Sequence, residues 1–181
     1  MNVTIAQRRF TLRSEYDISA PDCNYYAEKK LFSFRDRLRL LTEDRRLVAR
    51  ITRKFSWFRE KYEFGLSDGK IYHFRTERIW KPTFVCESQN ESFRLYEHKG
   101  LKWSIFQSDH QIAAFTTNRV TIGGGHRYEI RMNRDANVVV VICMALTVDT
   151  SENEDDHDTV SIDFGNVGPE ARRFDESWEP S

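Results

Sequence analysis

The sequence is poor in the residues that build disulfide frameworks, zinc sites and low-complexity chains. Only three cysteines occur among 181 residues, and no two of them form a Cys-x-x-Cys pair. An odd count with such spacing argues against a disulfide framework or a zinc knuckle, so we expect reduced thiols in an intracellular protein. Four prolines and eight glycines exclude a collagen-like or low-complexity chain.

Long hydrophobic runs are also missing. The longest run, from Val138 to Leu146, is far shorter than the roughly 20 apolar residues of a membrane span. The first nine residues lack the apolar core of a secretory signal. We therefore expect a cytoplasmic protein with no transmembrane segment, at most peripheral to a membrane.

Recognisable catalytic motifs are lacking as well. None of the five histidines stands in a His-Glu-x-x-His motif, and no Gly-x-Ser-x-Gly elbow occurs. The glycine-rich stretch 123–126 has no Lys-Ser/Thr of a phosphate loop, and it reads as a bulged hairpin turn. Cys86 and Cys143 lie in apolar stretches typical of a core. These absences predict a non-enzymatic domain without metal or cofactor, although an enzyme with an unrecognised internal site remains an alternative.

What the chain has in abundance is aromatic residues and short alternating segments. Thirteen Phe, seven Tyr and four Trp can bury a large core. Segments such as 128–132 alternate apolar and polar residues, and turn residues such as Ser67-Asp68-Gly69 separate them. This pattern is typical of an all-β sandwich or barrel.

One segment breaks the alternation. Residues 138–148 are apolar except for Thr147, so we expect a fully buried element. Its β-branched first half favours a strand, whereas Met144, Ala145 and Leu146 favour a helix. Asn133 or Asp135 could cap such a helix.

The charge is balanced overall but segregated along the chain. Residues 27–62 hold twelve basic and five acidic residues, whereas residues 149–181 hold eleven acidic and two basic residues. The charge run 151–158 is typical of disordered segments. We therefore predict a domain over residues 1–150 and a flexible acidic tail over residues 151–181, which we expect to fold back and mask the basic residues.

Three segments in this order carry a resemblance to a known family. They are the basic–aromatic stretches 29–37 and 53–64 and the apolar stretch Ala136 to Val148, closed by Asp149. Across roughly Tyr25 to Asp149 the chain resembles the LURP-one-related family of the tubby-C-terminal-like superfamily, which includes the phospholipid scramblases. The resemblance implies a mainly β fold: a closed antiparallel barrel around one buried helix, at about Ala136–Val148.

The basic–aromatic region is the main candidate for a binding site. Lys and Arg interleaved with aromatic residues suit anionic lipid headgroups, and the resemblance implies phosphoinositide binding, which is known of tubby domains. The alternative is a protein-interaction domain with a regulatory acidic tail; the charge would also suit nucleic acid, but no recognition motif supports that partner. The candidate ligands of the anion are Lys29, Lys30, Arg35, Arg53, Lys54, Arg59 and Lys61, and those for the membrane interface are Trp57 and Phe58.

Overall fold

The chain forms a closed β-barrel with one helix inside it. The computed structural model describes residues 1–10, 13–29, 36–54, 61–78, 83–119, 126–158 and 171–181. The helix is α1, Val138–Asp158. The twelve strands are β1 Asn2–Phe10, β2 Arg13–Ser19, β3 Asn24–Lys29, β4 Asp36–Thr42, β5 Leu47–Lys54, β6 Lys61–Leu66, β7 Ile71–Arg78, β8 Thr83–Glu87, β9 Ser92–His98, β10 Lys102–Gln107, β11 His110–Arg119 and β12 His126–Met132.

Every strand pairs antiparallel with its neighbours in sequence, and β1 pairs with β12 to close the sheet. At this seam Val3 lies opposite Ile130, and Ile5 lies opposite Tyr128. All four side chains face the interior and are at most 1% exposed. The expectation of a mainly β, closed antiparallel barrel around an apolar helix is therefore confirmed.

Because the strands alternate in direction, the connections between them lie at two ends of the barrel. One end, which we call the rim, is where the odd-numbered strands finish and the even-numbered strands begin. The turn predicted at residues 67–69 joins β6 to β7 at the opposite end, where Gly69 has a φ of 88° that favours glycine. Turns also form at residues 43–44 and 108–109, as their polar residues predicted.

The barrel interior is lined on one side by a belt of aromatic rings. This belt runs from β6 to β12 and accounts for much of the aromatic content. Neighbouring ring centroids lie 5.0 to 6.2 Å apart, a spacing at which aromatic pairs attract: Phe64–Tyr72, Phe74–Phe84, Phe84–Trp103, Trp103–Phe115 and Phe115–Tyr128.

The other side of the barrel carries smaller side chains, among them Ala27 and Ala49, both buried. The Cα atoms of α1 come within 8 Å of those of β5, which carries Ala49. Residues 140–151 of α1 are all buried, because the helix fills the barrel interior. In the part of the chain that the structure describes, no helix combines the length and apolar character needed to cross a bilayer.

Both ends of α1 differ from the sequence-based expectation. Asn137, rather than Asn133 or Asp135, caps the helix, because its Oδ1 accepts hydrogen bonds from the amides of Val139 and Val140 at 3.1 and 3.2 Å. The helix does not stop at Val148 but continues to Asp158, through the charge run that was expected to be disordered. A helix that is already nucleated adds further residues at little cost, so the buried first half supports the charged second half.

Candidate functional site

The structure brings the described members of the predicted basic site to the rim. Lys29 ends β3, Arg53 and Lys54 end β5, and Lys61 begins β6. Because β3 and β5 both finish at the rim, residues from two separate stretches of sequence meet at one end of the barrel. Five other candidates lie outside the described residues, in the segments that join β3 to β4 and β5 to β6: Lys30, Arg35, Trp57, Phe58 and Arg59.

These cations occupy both faces of the barrel wall. Arg53 lies opposite Tyr62, and Lys29 lies opposite Leu38. Tyr62 and Leu38 belong to the interior core, so Arg53 and Lys29 stand in the rows that face inward. The next residue along β5, Lys54, lies opposite Lys61 and therefore faces outward. The rim thus presents positive charge both to the outside and to the mouth of the barrel.

Acidic partners neutralise only part of this charge on the outer face. Lys54 Nζ lies 3.0 Å from Glu63 Oε1, and the Lys54 side chain remains 50% exposed. On the neighbouring strand β7, Arg75 Nη2 lies 3.2 Å from Glu87 Oε2. Lys61, which pairs with Arg75 in register, is exposed to solvent. Such exposed pairs contribute little to stability, so these cations remain accessible to a ligand.

A second polar cluster lies inside the barrel near the rim, around the carboxylate of Asp149. Asp149 is fully buried on α1. Tyr16 donates a hydrogen bond to its Oδ2 at 2.5 Å, and Tyr128 donates to its Oδ1. Nδ1 of His126 lies 3.2 Å from the same Oδ1. Gln7 extends the network, because its Nε2 donates to the Tyr16 hydroxyl at 3.2 Å.

This cluster keeps a negative charge inside the barrel. Burial by itself would raise the pKa of Asp149, but hydrogen bonds from His126, Tyr128 and Tyr16 and the charge of His126 outweigh it and lower the pKa. An ionised carboxylate with three donors fixes the rotation and height of α1 relative to β2 and β12. The His126 side chain is 16% exposed, so it is the member of the cluster that reaches towards solvent.

Sequence reasoning did not identify this cluster as a unit. Tyr16, Tyr128 and His126 are spread over more than 100 residues, and only the barrel closure brings β2 and β12 to the same helix. The one local signal was Asp149, a single acid at the end of the stretch 138–148, in which every residue except Thr147 is apolar. A carboxylate in a fully buried helix must accept hydrogen bonds from buried donors. Asp149 therefore indicated that such donors exist, but not which residues supply them.

Two of the three cysteines, Cys86 and Cys143, belong to the core. Cys86 and Cys143 are both unexposed, as predicted. Burial raises the pKa of both thiols, and the neighbouring Cys143 raises that of Cys86 further. Within the described ranges, no three His, Cys, Asp or Glu side chains are grouped so as to hold a metal ion.

Comparisons of this chain with protein-family models, with curated proteins and with solved structures found no match.

Proposed function

We propose that this chain is a non-enzymatic binding domain whose rim binds an anionic phospholipid headgroup, of the phosphoinositide class, at the cytoplasmic surface of a membrane. One observation carries the proposal. The strand directions bring Lys29, Arg53, Lys54 and Lys61 together at one barrel end. The two connections that leave these strands carry further basic residues and the pair Trp57-Phe58.

The combination of residue types suits a membrane surface. Each Lys or Arg near an anionic surface contributes about 1 kcal/mol, so four described cations can hold a domain at such a surface only weakly and in a salt-dependent way. Trp and Phe side chains favour the interface between headgroups and acyl chains. We propose that the segment 55–60 supplies that contact.

The architecture supports, as a further part of the proposal, membership of the tubby-C-terminal-like superfamily. A closed barrel around a buried apolar helix is what the resemblance implied, and the chain folds in this way. Tubby domains bind phosphoinositides, which agrees with the ligand proposed from the rim.

The same rim receives the acidic half of α1. Asp149 lies level with the first strand residue of β12, and nine more residues extend the helix by about 13 Å beyond it. This part of α1 contains Glu152, Glu154, Asp155, Asp156 and Asp158. We propose that these acids compete with the anionic ligand for the rim cations, which is a form of autoinhibition.

The test is co-sedimentation of the chain with vesicles at low and high salt. One set of vesicles contains phosphatidylcholine alone, and the other also contains phosphatidylinositol 4,5-bisphosphate. Lys61→Glu at the rim is compared with Lys70→Glu, an exposed lysine at the opposite end of the same hairpin. Charge reversal at Lys61 should weaken binding by about 2 kcal/mol, or roughly 10- to 30-fold, and Lys70→Glu should not.

Salt-sensitive binding to the anionic vesicles alone, lost with Lys61→Glu, would support the proposal. Equal losses with both variants would mean that net charge, not the rim, determines binding. If neither the wild-type chain nor a chain with residues 154–156 changed to their amides binds, the lipid proposal is wrong.

A further inference from the structure

The outer wall of the barrel at β9 and β10 is buried where an outer barrel surface would normally meet solvent. His98 on β9 and Ser104 and Phe106 on β10 are 2%, 2% and 6% exposed. All three face outward, because their neighbours Leu95 and Ile105 fill the interior. Another part of the chain must therefore cover this wall.

The cover is the segment 171–181, which we call the strap. The Arg172 guanidinium lies 3.8 Å from the centre of the Phe106 ring and 5.8 Å from that of Tyr96. The Phe174 ring packs against His98 at 5.0 Å, edge to face. These are cation–π and aromatic contacts of an arginine and a phenylalanine two residues apart.

An ion pair follows two residues later. Lys102 Nζ lies 2.5 Å from Glu176 Oε1 and 5.1 Å from the centre of the Phe174 ring. Arg172, Phe174 and Glu176 thus contact the wall from alternate positions. The backbone bends at residues 171–172 and turns at residues 176–177, so these three side chains reach the wall from a curved segment.

The strap then turns, and the backbone of its last residue bonds to the barrel. The Asp175 carboxylate accepts hydrogen bonds from the amide and hydroxyl of Ser177 at 2.9 and 2.6 Å, which forms a turn. Beyond it, Asn133 Oδ1 accepts from the Ser181 amide at 3.0 Å, and the Arg134 amide donates to the Ser181 carbonyl at 3.0 Å. These bonds lie at the end of the barrel opposite the rim.

The strap has the properties of an exchangeable ligand rather than of a thirteenth structural element. The barrel is closed by its own strands and gains no strand pairing from the strap. On the wall, His98, Ser104 and Phe106 are buried, whereas on the strap Arg172 is exposed and the Glu176 side chain is 73% exposed. Residues 159–170 separate the strap from α1, a connection that spans up to about 40 Å when extended.

We propose that the outer wall of β9 and β10 is a peptide-binding groove and that the strap is its intramolecular ligand. The groove recognises a segment with an arginine, an aromatic residue and an acidic residue at alternate positions, the acidic residue in a turn. A segment of another protein with this pattern binds the same groove by displacing the strap. This site lies on the outer wall of β9 and β10, away from the strands β3, β5 and β6 that carry the rim cations of the lipid proposal, so the inference does not depend on lipid binding.

The test uses the full-length chain and a fluorescent peptide of residues 170–181. In the wild-type chain the strap competes at an effective concentration on the order of millimolar. The double variant Arg172→Ala, Phe174→Ala weakens the binding of the strap to the groove. The dissociation constant of this variant for the peptide, measured by anisotropy, should therefore be at least about tenfold lower than that of the wild-type chain. Arg173→Ala is the matched control, because this exposed arginine lies between the two contact residues, and it should behave as wild type.

A charge exchange identifies the groove itself. Lys102→Glu in the double variant should lose binding of the peptide, and a peptide with Glu176→Lys should restore it. Circular dichroism confirms that each chain is folded, and restoration by the second peptide excludes misfolding as the cause of the loss. Equal binding by the wild-type chain and the double variant, no binding by either, or failure of the exchanged pair would overturn the proposal. A wild-type dimer that the double variant abolishes would do so as well, because the occupant would then be the strap of a second copy.

Discussion

Removal of the buried carboxylate, by Asp149→Ala, should be among the most destabilising single changes in this chain. The carboxylate accepts hydrogen bonds from Tyr16 and Tyr128 and interacts with His126. Both tyrosines are at most 3% exposed, so water cannot replace the lost acceptor. A buried donor left without an acceptor costs about 1–3 kcal/mol.

The cost can be worked out from these contacts. Two buried hydroxyls lose their acceptor, and each costs about 1–3 kcal/mol, so the free energy of unfolding should fall by about 2–6 kcal/mol. This is a large part of the roughly 5–15 kcal/mol of a typical domain. Tyr128→Phe removes one donor and should cost about 1.5–3 kcal/mol.

The chain offers a matched control for the tyrosine. Tyr72 is as deeply buried as Tyr128, and its hydroxyl also donates to a carboxylate, that of Glu91. The Glu91 side chain is 28% exposed and can be hydrated when the bond is lost. Tyr72→Phe should therefore cost about 1 kcal/mol or less, measured by urea unfolding of both variants at neutral pH.

The pH dependence gives a second readout. The pKa of Asp149 is lower in the folded chain than the roughly 3.9 of an unfolded aspartate, so its stabilisation is complete above that value and is lost as the pH falls below it. The difference in free energy of unfolding between wild type and Asp149→Asn should therefore shrink below about pH 4. A difference that stays constant down to about pH 2, or equal costs for Tyr128→Phe and Tyr72→Phe, would refute the reasoning.

Three further predictions concern the helix, the thiols and the rim. A chain ending at Met132 lacks α1 and should be unfolded by circular dichroism and NMR; cooperative melting of that chain would contradict a barrel that needs its helix. Only Cys23, which is partly exposed, should react rapidly with a thiol reagent in the native chain, because burial shields the other two cysteines and raises the pKa of their thiols; rapid loss of all three thiols without denaturant would contradict this. Changing the acids at 154–156 to amides should strengthen binding to phosphoinositide vesicles several-fold, and unchanged co-sedimentation would exclude masking of the rim by α1.

Local chemistry predicted the strands and turns better than it predicted the helix. Period-two alternation and polar turn residues are properties of a few neighbouring residues, and they predicted an all-β sandwich or barrel, of which the barrel forms. The β-branched residues from Val138 to Ile142 favour a strand, but they form a helix. Twelve strands already close the sheet and leave no edge inside the barrel for another strand. Only a helix satisfies its own backbone hydrogen bonds in that interior.

The candidate site was predictable only where it depends on local composition. The density of basic residues in the sequence identified Lys29, Arg53, Lys54 and Lys61, and strand direction then placed them together. Whether a given cation faces outward or into the barrel mouth depends on the register of its strand. A β-bulge can shift that register, and one does so between Asp36 and Leu38. The contacts of the strap with β9 and β10 depend on pairs more than 60 residues apart and leave no local pattern.

Masking of the rim by α1, as proposed above, would also compensate an unfavourable feature of the helix. The acids of residues 152–158 lie at the C-terminal end of α1, where the helix dipole disfavours negative charge by about 0.3–1 kcal/mol for each residue. Asp149 lies beside the first residue of β12, so α1 runs towards the rim, where Lys29 and Arg53 stand in the inward-facing rows. If these cations offset the dipole, an anionic headgroup that binds them should weaken the last turns of α1, which amide exchange in the presence and absence of vesicles would detect. Unchanged exchange would contradict masking by α1.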